Sequence, residues 1–208
     1  IFLYDGGAPV NISNNDLTDF APAINASGQV VWQGFDATTS DIYLYTGSGT
    51  PVKISSGSTD NTGPQINDLG QVVWQGFDGT AYNFYLYDGD SVTKVITGVS
   101  ADSRPVINNS GQIVWTGGWT GGVEGQNSPE IFLYDYDPAN PGAIGAITQI
   151  TTDSLIPSAP AINDAGQIVY QQLGTGGAYE IYLYQDGASL RVTENAYQDM
   201  LPQINNNG

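Results

Sequence analysis

A proline, an aromatic residue and a leucine return together at intervals near 42 residues, and this recurrence limits the fold more tightly than anything else in the 208-residue chain. The prolines are Pro22, Pro64, Pro105, Pro160 and Pro202, separated by 42, 41, 55 and 42 residues. The aromatic follows as Trp32, Trp74, Trp115 and Tyr170. The leucine recurs as Leu3, Leu44, Leu86, Leu133 and Leu183. Self-similarity at a fixed spacing of this size is the mark of one supersecondary unit repeated along the chain.

The unit is plainest between Pro64 and Asp88. Pro-Gln-Ile-Asn leads into an Asp-Leu-Gly turn, and Gln71–Gln75 runs back as an apolar strand. Gly76–Asn83 reads as a polar loop, and Phe84–Tyr87 as a third strand closed by Asp88-Gly89. A fourth run recurs at Val52–Ile54, Val92–Ile96, Ile147–Ile150 and Leu190–Val192. Short β-branched and aromatic runs bounded by Gly, Asn and Asp are hairpin signals. A strand with one wet face would alternate apolar and polar residues. Val72, Val73 and Trp74 are instead consecutive, as are Phe84 to Tyr87, so each sheet needs cover on both faces. Copies of the same sheet supply it.

Four strands per period predict an all-β fold, a β-propeller of four-stranded antiparallel blades. Five repeats are visible. The terminal one is split, because Ile1 opens within a third strand and Gly208 follows a first strand and its turn. Residues 1–208 are therefore expected to be one propeller domain or a window of a longer array. The 27 Gly and 11 Pro agree, since they favour turns over helices.

The order Pro-x-Ile-Asn-x-x-Gly-Gln-Val-Val-Trp, then Ile-Tyr-Leu-Tyr-Asp-Gly, then a Thr-rich fourth strand, resembles the TolB-type, WD40-like propeller repeat. That family has a Pro-x-x-Ser-Pro-Asp-Gly hairpin, where this chain has Asn-Asp-Leu-Gly, Asn-Asp-Ala-Gly or Asn-Asn-Ser-Gly. The resemblance spans essentially the whole chain and implies architecture. It implies little about activity, because such propellers occur in periplasmic, secreted and peptidase-linked proteins alike.

Charge narrows the partners. Twenty-one acids against four bases give a net charge of -17. Such a surface repels nucleic acid and anionic lipid alike. No apolar run is long enough to insert in a membrane. With no Cys and no His, thiolate and imidazole metal sites and His-dependent nucleophilic catalysis are ruled out. Against the usual catalytic inventory the chain reads as no enzyme and as requiring no cofactor.

Thirteen of the 21 acids, among them Asp41, Glu130 and Glu180, are assigned to loops on one edge of the repeats. Asp19, Asp60, Asp102 and Asp199 each stand three or four residues before a repeat proline. In a propeller they would form an acidic ring near the axis, suited to a hard cation such as Ca2+. The plainer reading is that each Asp closes its own loop by accepting backbone N–H groups. Asn25 and Asn108, which begin N-glycosylation patterns, likewise read as turn residues. The third repeat carries two insertions, Gly117–Pro129 and Tyr136–Gly145. Trp119, in the first of them with Glu124, does not recur and is the candidate sugar platform or contact anchor, with packing over the rim as the alternative.

The reading reached from sequence is an extracellular, cell-surface or periplasmic module with a structural or adhesive role. Its partner would be protein, through self-association or continuation of the array. The alternative is a lectin-like propeller binding carbohydrate or Ca2+.

Overall fold

The computed structural model describes residues 1–101, 103–118, 129–136, 145–152 and 155–208, and every regular element among them is a β-strand. The chain divides into two compact units, Ile1–Thr97 and Gly98–Gly208. The first opens with a two-stranded sheet of β1 (Phe2–Leu3) and β2 (Val10–Asn11). Next comes a four-stranded sheet of β3 (Thr18–Ile24), β4 (Val30–Phe35), β5 (Ser40–Tyr45) and β6 (Val52–Lys53). The sheet after it holds β7 (Thr59–Ile66), β8 (Val72–Phe77), β9 (Tyr82–Tyr87) and β10 (Val92–Val99), the last crossing into the second unit.

The second unit has two more such sheets. One is β11 (Val106–Ile107), β12 (Ile113–Gly117), β13 (Glu130–Asp135) and β14 (Ala146–Gln149). The other is β15 (Pro157–Ile162), β16 (Ile168–Leu173), β17 (Tyr179–Gln185) and β18 (Ala188–Arg191). In all four, spatial order follows chain order, so each is a simple meander.

The first hairpin of each sheet is built by one asparagine. Asn25 Oδ1 accepts the N–H groups of Ser27 and Gln29 at 3.1 and 3.0 Å, and its Nδ2 donates to Gln29 Oε1 at 2.7 Å. Asn67, Asn108 and Asn163 repeat the arrangement. The turn needs a left-handed residue three places on, which Gly28, Gly70, Gly111 and Gly166 supply. Asn25 and Asn108 are thus the turn residues that the sequence suggests.

Three of these asparagines reach forward to the next repeat within their unit. Asn25 Nδ2 donates to the Asn67 carbonyl at 3.0 Å, Asn108 Nδ2 to Asn163 O at 2.9 Å, and Asn163 Nδ2 to Asn205 O at 3.1 Å. Beside these bonds, Asp68 accepts Ala26 N–H and Asp164 accepts Asn109 N–H, both at 2.8 Å.

Cover on both faces is realised. Trp32, Trp74 and Trp115 are wholly buried and Tyr170 nearly so. Each ring stacks on an aromatic of the adjacent third strand, in the pairs Trp32–Tyr43, Trp74–Tyr85, Trp115–Phe132 and Tyr170–Tyr182. One core joins Val31, Ile42, Leu44 and Ile54 of one sheet to Val72, Trp74 and Tyr85 of the next. In the second unit Val114, Ile131 and Leu133 meet Ile168 and Tyr170 in the same way.

The polar loop expected over Gly76–Asn83 is shorter than its composition suggests. β8 runs through Gly76 to Phe77, which pairs with Tyr82 at the start of β9. Gly76 lies in the strand because a side chain there would strike its neighbours: a Cβ would sit 2.5 Å from Asn61 Oδ1 and 2.9 Å from Ser58 Cβ. The turn itself is closed by Asp78, whose Oδ1 accepts Thr80 and Ala81 N–H.

Candidate functional site

Three acids expected in loops lie in third strands. Asp41 is in β5, Glu130 opens β13, and Glu180 is in β17. Each accepts a hydroxyl from the residue just beyond the fourth strand. Ser55 Oγ donates to Asp41 at 2.7 Å, Thr151 Oγ1 to Glu130, and Thr193 Oγ1 to Glu180 at 2.8 Å. The same hydroxyls accept the N–H of Ile42, Ile131 and Ile181. These carboxylates latch the third and fourth strands together. Composition alone did not separate them from loop acids, because the latch partner lies 13 to 21 residues away.

Cations complete two latches. Lys53 donates to Asp41 Oδ2 at 2.7 Å, and that bond raises the lysine above its ordinary range. Arg191 donates to Glu180 at 2.9 Å. The Thr193 bond chiefly, with Asn195 N–H and Arg191 behind it, lowers the Glu180 carboxyl against the opposing effect of burial. Lys94 and then Thr80 hold Asp78 far below the ordinary carboxylate range. In the turn after β4, the Thr38 hydroxyl leads the bonds that bring Asp36 down to about 2.

The expected acidic ring resolves into unlike positions. Asp19 accepts the Trp32 indole N–H at 3.1 Å. Its counterpart one repeat on is Asn61, which accepts Trp74 Nε1 at 2.9 Å. Asp60 is one residue out of step with Asp19. It is exposed, with a left-handed φ of 47°. Asp199 accepts from Asn195 at 2.7 Å, as Asp19 does more distantly from Asn15. Asp102, Trp119 and Glu124 lie outside the described residues. Among those described, no group of three or more acids is gathered as a metal ion would require.

Two hollows stand out. In the second unit, Gln167, Gln185, Asp186, Asn206 and Asn207 line a polar cleft of about 370 Å3 beside the last hairpin. In the first unit, an apolar hollow of about 220 Å3 lies between Ile1, Phe2, Leu3 and Ile12 on one side and Pro22, Ala23, Ile24 and Val30 on the other. It borders β1, whose sheet has only two strands. Phe2, Tyr4 and Val10 stand exposed there.

No family model matches the chain, and no curated protein is detectably similar in sequence. Solved structures are similar in fold. TolB from Acinetobacter baumannii is 18% identical with a TM-score of 0.63, over 94% of this chain and 48% of that one. A putative TolB from Agrobacterium tumefaciens, also 18% identical, gives 0.62 over 94% and 69%. The chain has a TolB-like β-propeller fold. Its four-stranded meanders are blades, and the expected class and repeat resemblance stand.

The expectation that the chain is no enzyme is corrected by other propellers of like fold. Pyrococcus horikoshii acylaminoacyl peptidase is 16% identical with a TM-score of 0.56, over 86% of this chain and 27% of that one. A Mycobacterium tuberculosis puromycin-hydrolyzing peptidase, prolyl endopeptidases and a putative gluconolactonase are also similar. Propellers of this form therefore occur in catalytic proteins. A missing His or Cys in one stretch of chain is no argument against catalysis by the whole. The chain spans only 27–32% of the three peptidases.

Proposed function

We propose that this propeller is a structural or adhesive module of the bacterial surface, extracellular space or periplasm, and that it engages protein partners. The observation that carries the reading is a set of large apolar side chains standing exposed in each unit. They include Phe2, Tyr4 and Val10 in the first unit and Leu190, Tyr197 and Leu201 in the second. Contiguous exposed apolar surface marks interaction sites. Among the described acids, Asp41 and Glu180 latch strands, Asp78 closes a turn and Asp19 accepts an indole N–H.

Sedimentation velocity tests the proposal. The chain should associate with itself as concentration rises, and more readily at high salt, because the contact surface is apolar while the net charge of -17 repels a second copy until salt screens it. Replacing Tyr197 and Leu201 by Ser should weaken that association. A chain that stays monomeric throughout and gives a dose-dependent hit on a glycan array would overturn it in favour of a lectin-like propeller.

A further inference from the structure

Two phenylalanines of the first unit depart from the repeat at one place. Phe35, the last residue of β4, lies opposite Ser40 of β5. Its counterpart Phe77 lies opposite Tyr82, and those two rings pack with centroids 5.1 Å apart. Serine gives Phe35 no such cover, and it is 38% exposed. Phe20, in β3, stands where the repeats at Pro64 and Pro160 have Thr62 and Ser158, and it is 41% exposed. β3 pairs with β4 so that Thr18 is opposite Phe35 and Phe20 opposite Gln33. Both phenylalanines therefore lie on one face of the sheet as diagonal neighbours, about 7–8 Å apart along the backbone and within reach of one ligand. On that same face Val31, Ile42 and Leu44 meet Val72 and Trp74, so both sheets that border the rings are complete.

Two acids stand beside the rings. Asp36 follows Phe35, and its turn bonds from Thr38 and Thr39 all go to Oδ1. Those bonds, the Thr38 hydroxyl's first, bring it down to about 2, so it is ionised at neutral pH. Asp60 belongs to β7, in the bulge between Thr59 and Thr62, and is exposed with a left-handed backbone. Its neighbour Asn61 donates to the carbonyl of Ser40, the residue opposite Phe35. Asp60 is thereby fixed at the same rim as the phenylalanines. The ion pairs among the described residues use Asp19, Asp41, Asp78, Glu180 and Glu194, and neither Asp36 nor Asp60.

Exposed ring faces attract cations, and a guanidinium both stacks on rings and forks its N–H groups to carboxylates. The net charge of -17 draws cationic partners toward the chain as a whole. We propose, resting on the protein-partner reading above, that Phe20, Phe35, Asp36 and Asp60 form a docking site for an arginine of a partner protein. The guanidinium lies against the phenylalanine rings, and its N–H groups donate to the two carboxylates. Rings set its position and acids supply the opposite charge, so a neutral side chain satisfies only half of the site.

The test titrates the isotope-labelled full chain with acetyl-Gly-Gly-Arg-Gly-Gly-amide at physiological salt and follows backbone amide shifts by NMR. A single positive charge on the peptide keeps general attraction to an acidic protein small. Saturable shifts are expected around Phe20, Phe35 and Asp60, with the corresponding Lys peptide binding more weakly. Phe20→Ser should weaken binding about two- to fivefold, as loss of an exposed cation–π contact does. Asp60→Asn should weaken it as well, and it keeps the fold because asparagine accepts the left-handed backbone. Asp90→Asn, in the turn between β9 and β10, should leave binding unchanged. Absence of saturable shifts would overturn the proposal, as would equal losses in Asp60→Asn and Asp90→Asn. Binding of a neutral oligosaccharide at the same residues in place of the arginine peptide would overturn it too. Sedimentation reads self-association separately, so failure here leaves the module reading standing.

Discussion

The indole N–H of Trp74 donates to Oδ1 of Asn61 across 2.9 Å, and neither side chain is exposed to water. Asn61 Nδ2 also donates to the Ser40 carbonyl of the neighbouring blade at 2.9 Å. One amide thus holds the ring in its own blade and ties that blade to the one before. An aspartate in its place keeps the first bond and loses the second. Asn61→Asp should therefore destabilise the domain, whereas Asp19→Asn, which keeps an acceptor for Trp32, should stay near wild type. Asn61→Ala leaves two buried groups dry, at about 1–3 kcal/mol each. Trp74→Ala should be worse still, about 3–5 kcal/mol. Denaturant melts of the four variants check the order.

Gly76 packs against the same asparagine. Gly76→Ala puts a Cβ within 2.5 Å of Asn61 Oδ1, and Asn61, bonded to Trp74, Ser40 and Ser58, has little room to retreat. The expected loss is about 1–3 kcal/mol, as for other overpacked cores. In the Gly76→Ala background Ser58→Gly should recover part of it, because Ser58 Cβ and Oγ are the other near neighbours, although on its own it costs the bond from Ser58 Oγ to Asn61. A double-mutant cycle with no coupling between the two sites would show that the clash is relieved elsewhere.

The hairpin asparagines can be dissected by one atom. Asn108→Asp keeps the acceptor for Ser110 and Gln112 N–H but loses donation to Gln112 Oε1 and to Asn163 O. Asn108→Ala loses all four. Melting temperature should fall in the order wild type, Asp, Ala. Hydrogen exchange should speed up at the 163–167 hairpin in both variants if the forward bond couples neighbouring repeats.

Acid should weaken the fold partly through Glu180. Its folded pKa lies below that of an unfolded glutamate, so its contribution is complete above the unfolded value of about 4.3. That contribution drains away as pH falls through the folded value. Glu180→Gln gives it up at every pH. The gap in melting temperature between wild type and Glu180→Gln should therefore be widest near neutrality and narrow as pH falls below the unfolded value of about 4.3. A gap independent of pH would mean that the latch works by shape alone.

The fold was legible because its signal recurs. Pro22, Trp32 and Leu44 mark one blade, and the triplet returns in the next three with Tyr170 for the tryptophan in the last, so errors in single strands did not matter. The site was less legible because its residues differ by one place or one atom. Asp60 and Asn61 are neighbours in sequence, yet only Asn61 meets the tryptophan, and a search for acids passes over an amide. Asp41, Glu130 and Glu180 looked like loop acids for a related reason. Such a carboxylate shows itself only when its hydroxyl partner, beyond the next strand, is seen beside it. Gly76 misled in the opposite sense, as a strand glycine kept for closeness and read as a turn.

The forward bond of the hairpin asparagines has a consequence for how such a chain grows. In Asn163 one residue plays both parts: its carbonyl receives the amide of Asn108, and its own amide reaches the carbonyl of Asn205. A residue that gives ahead and takes from behind makes a joint with no special first or last member. Copying one cassette of this gene in frame would create a new joint identical to the old ones, with no compensating change on either side. Lengthening by duplication is therefore the easiest path open to this protein, and the unequal spacing of its prolines shows that a cassette can also swell without breaking the joint.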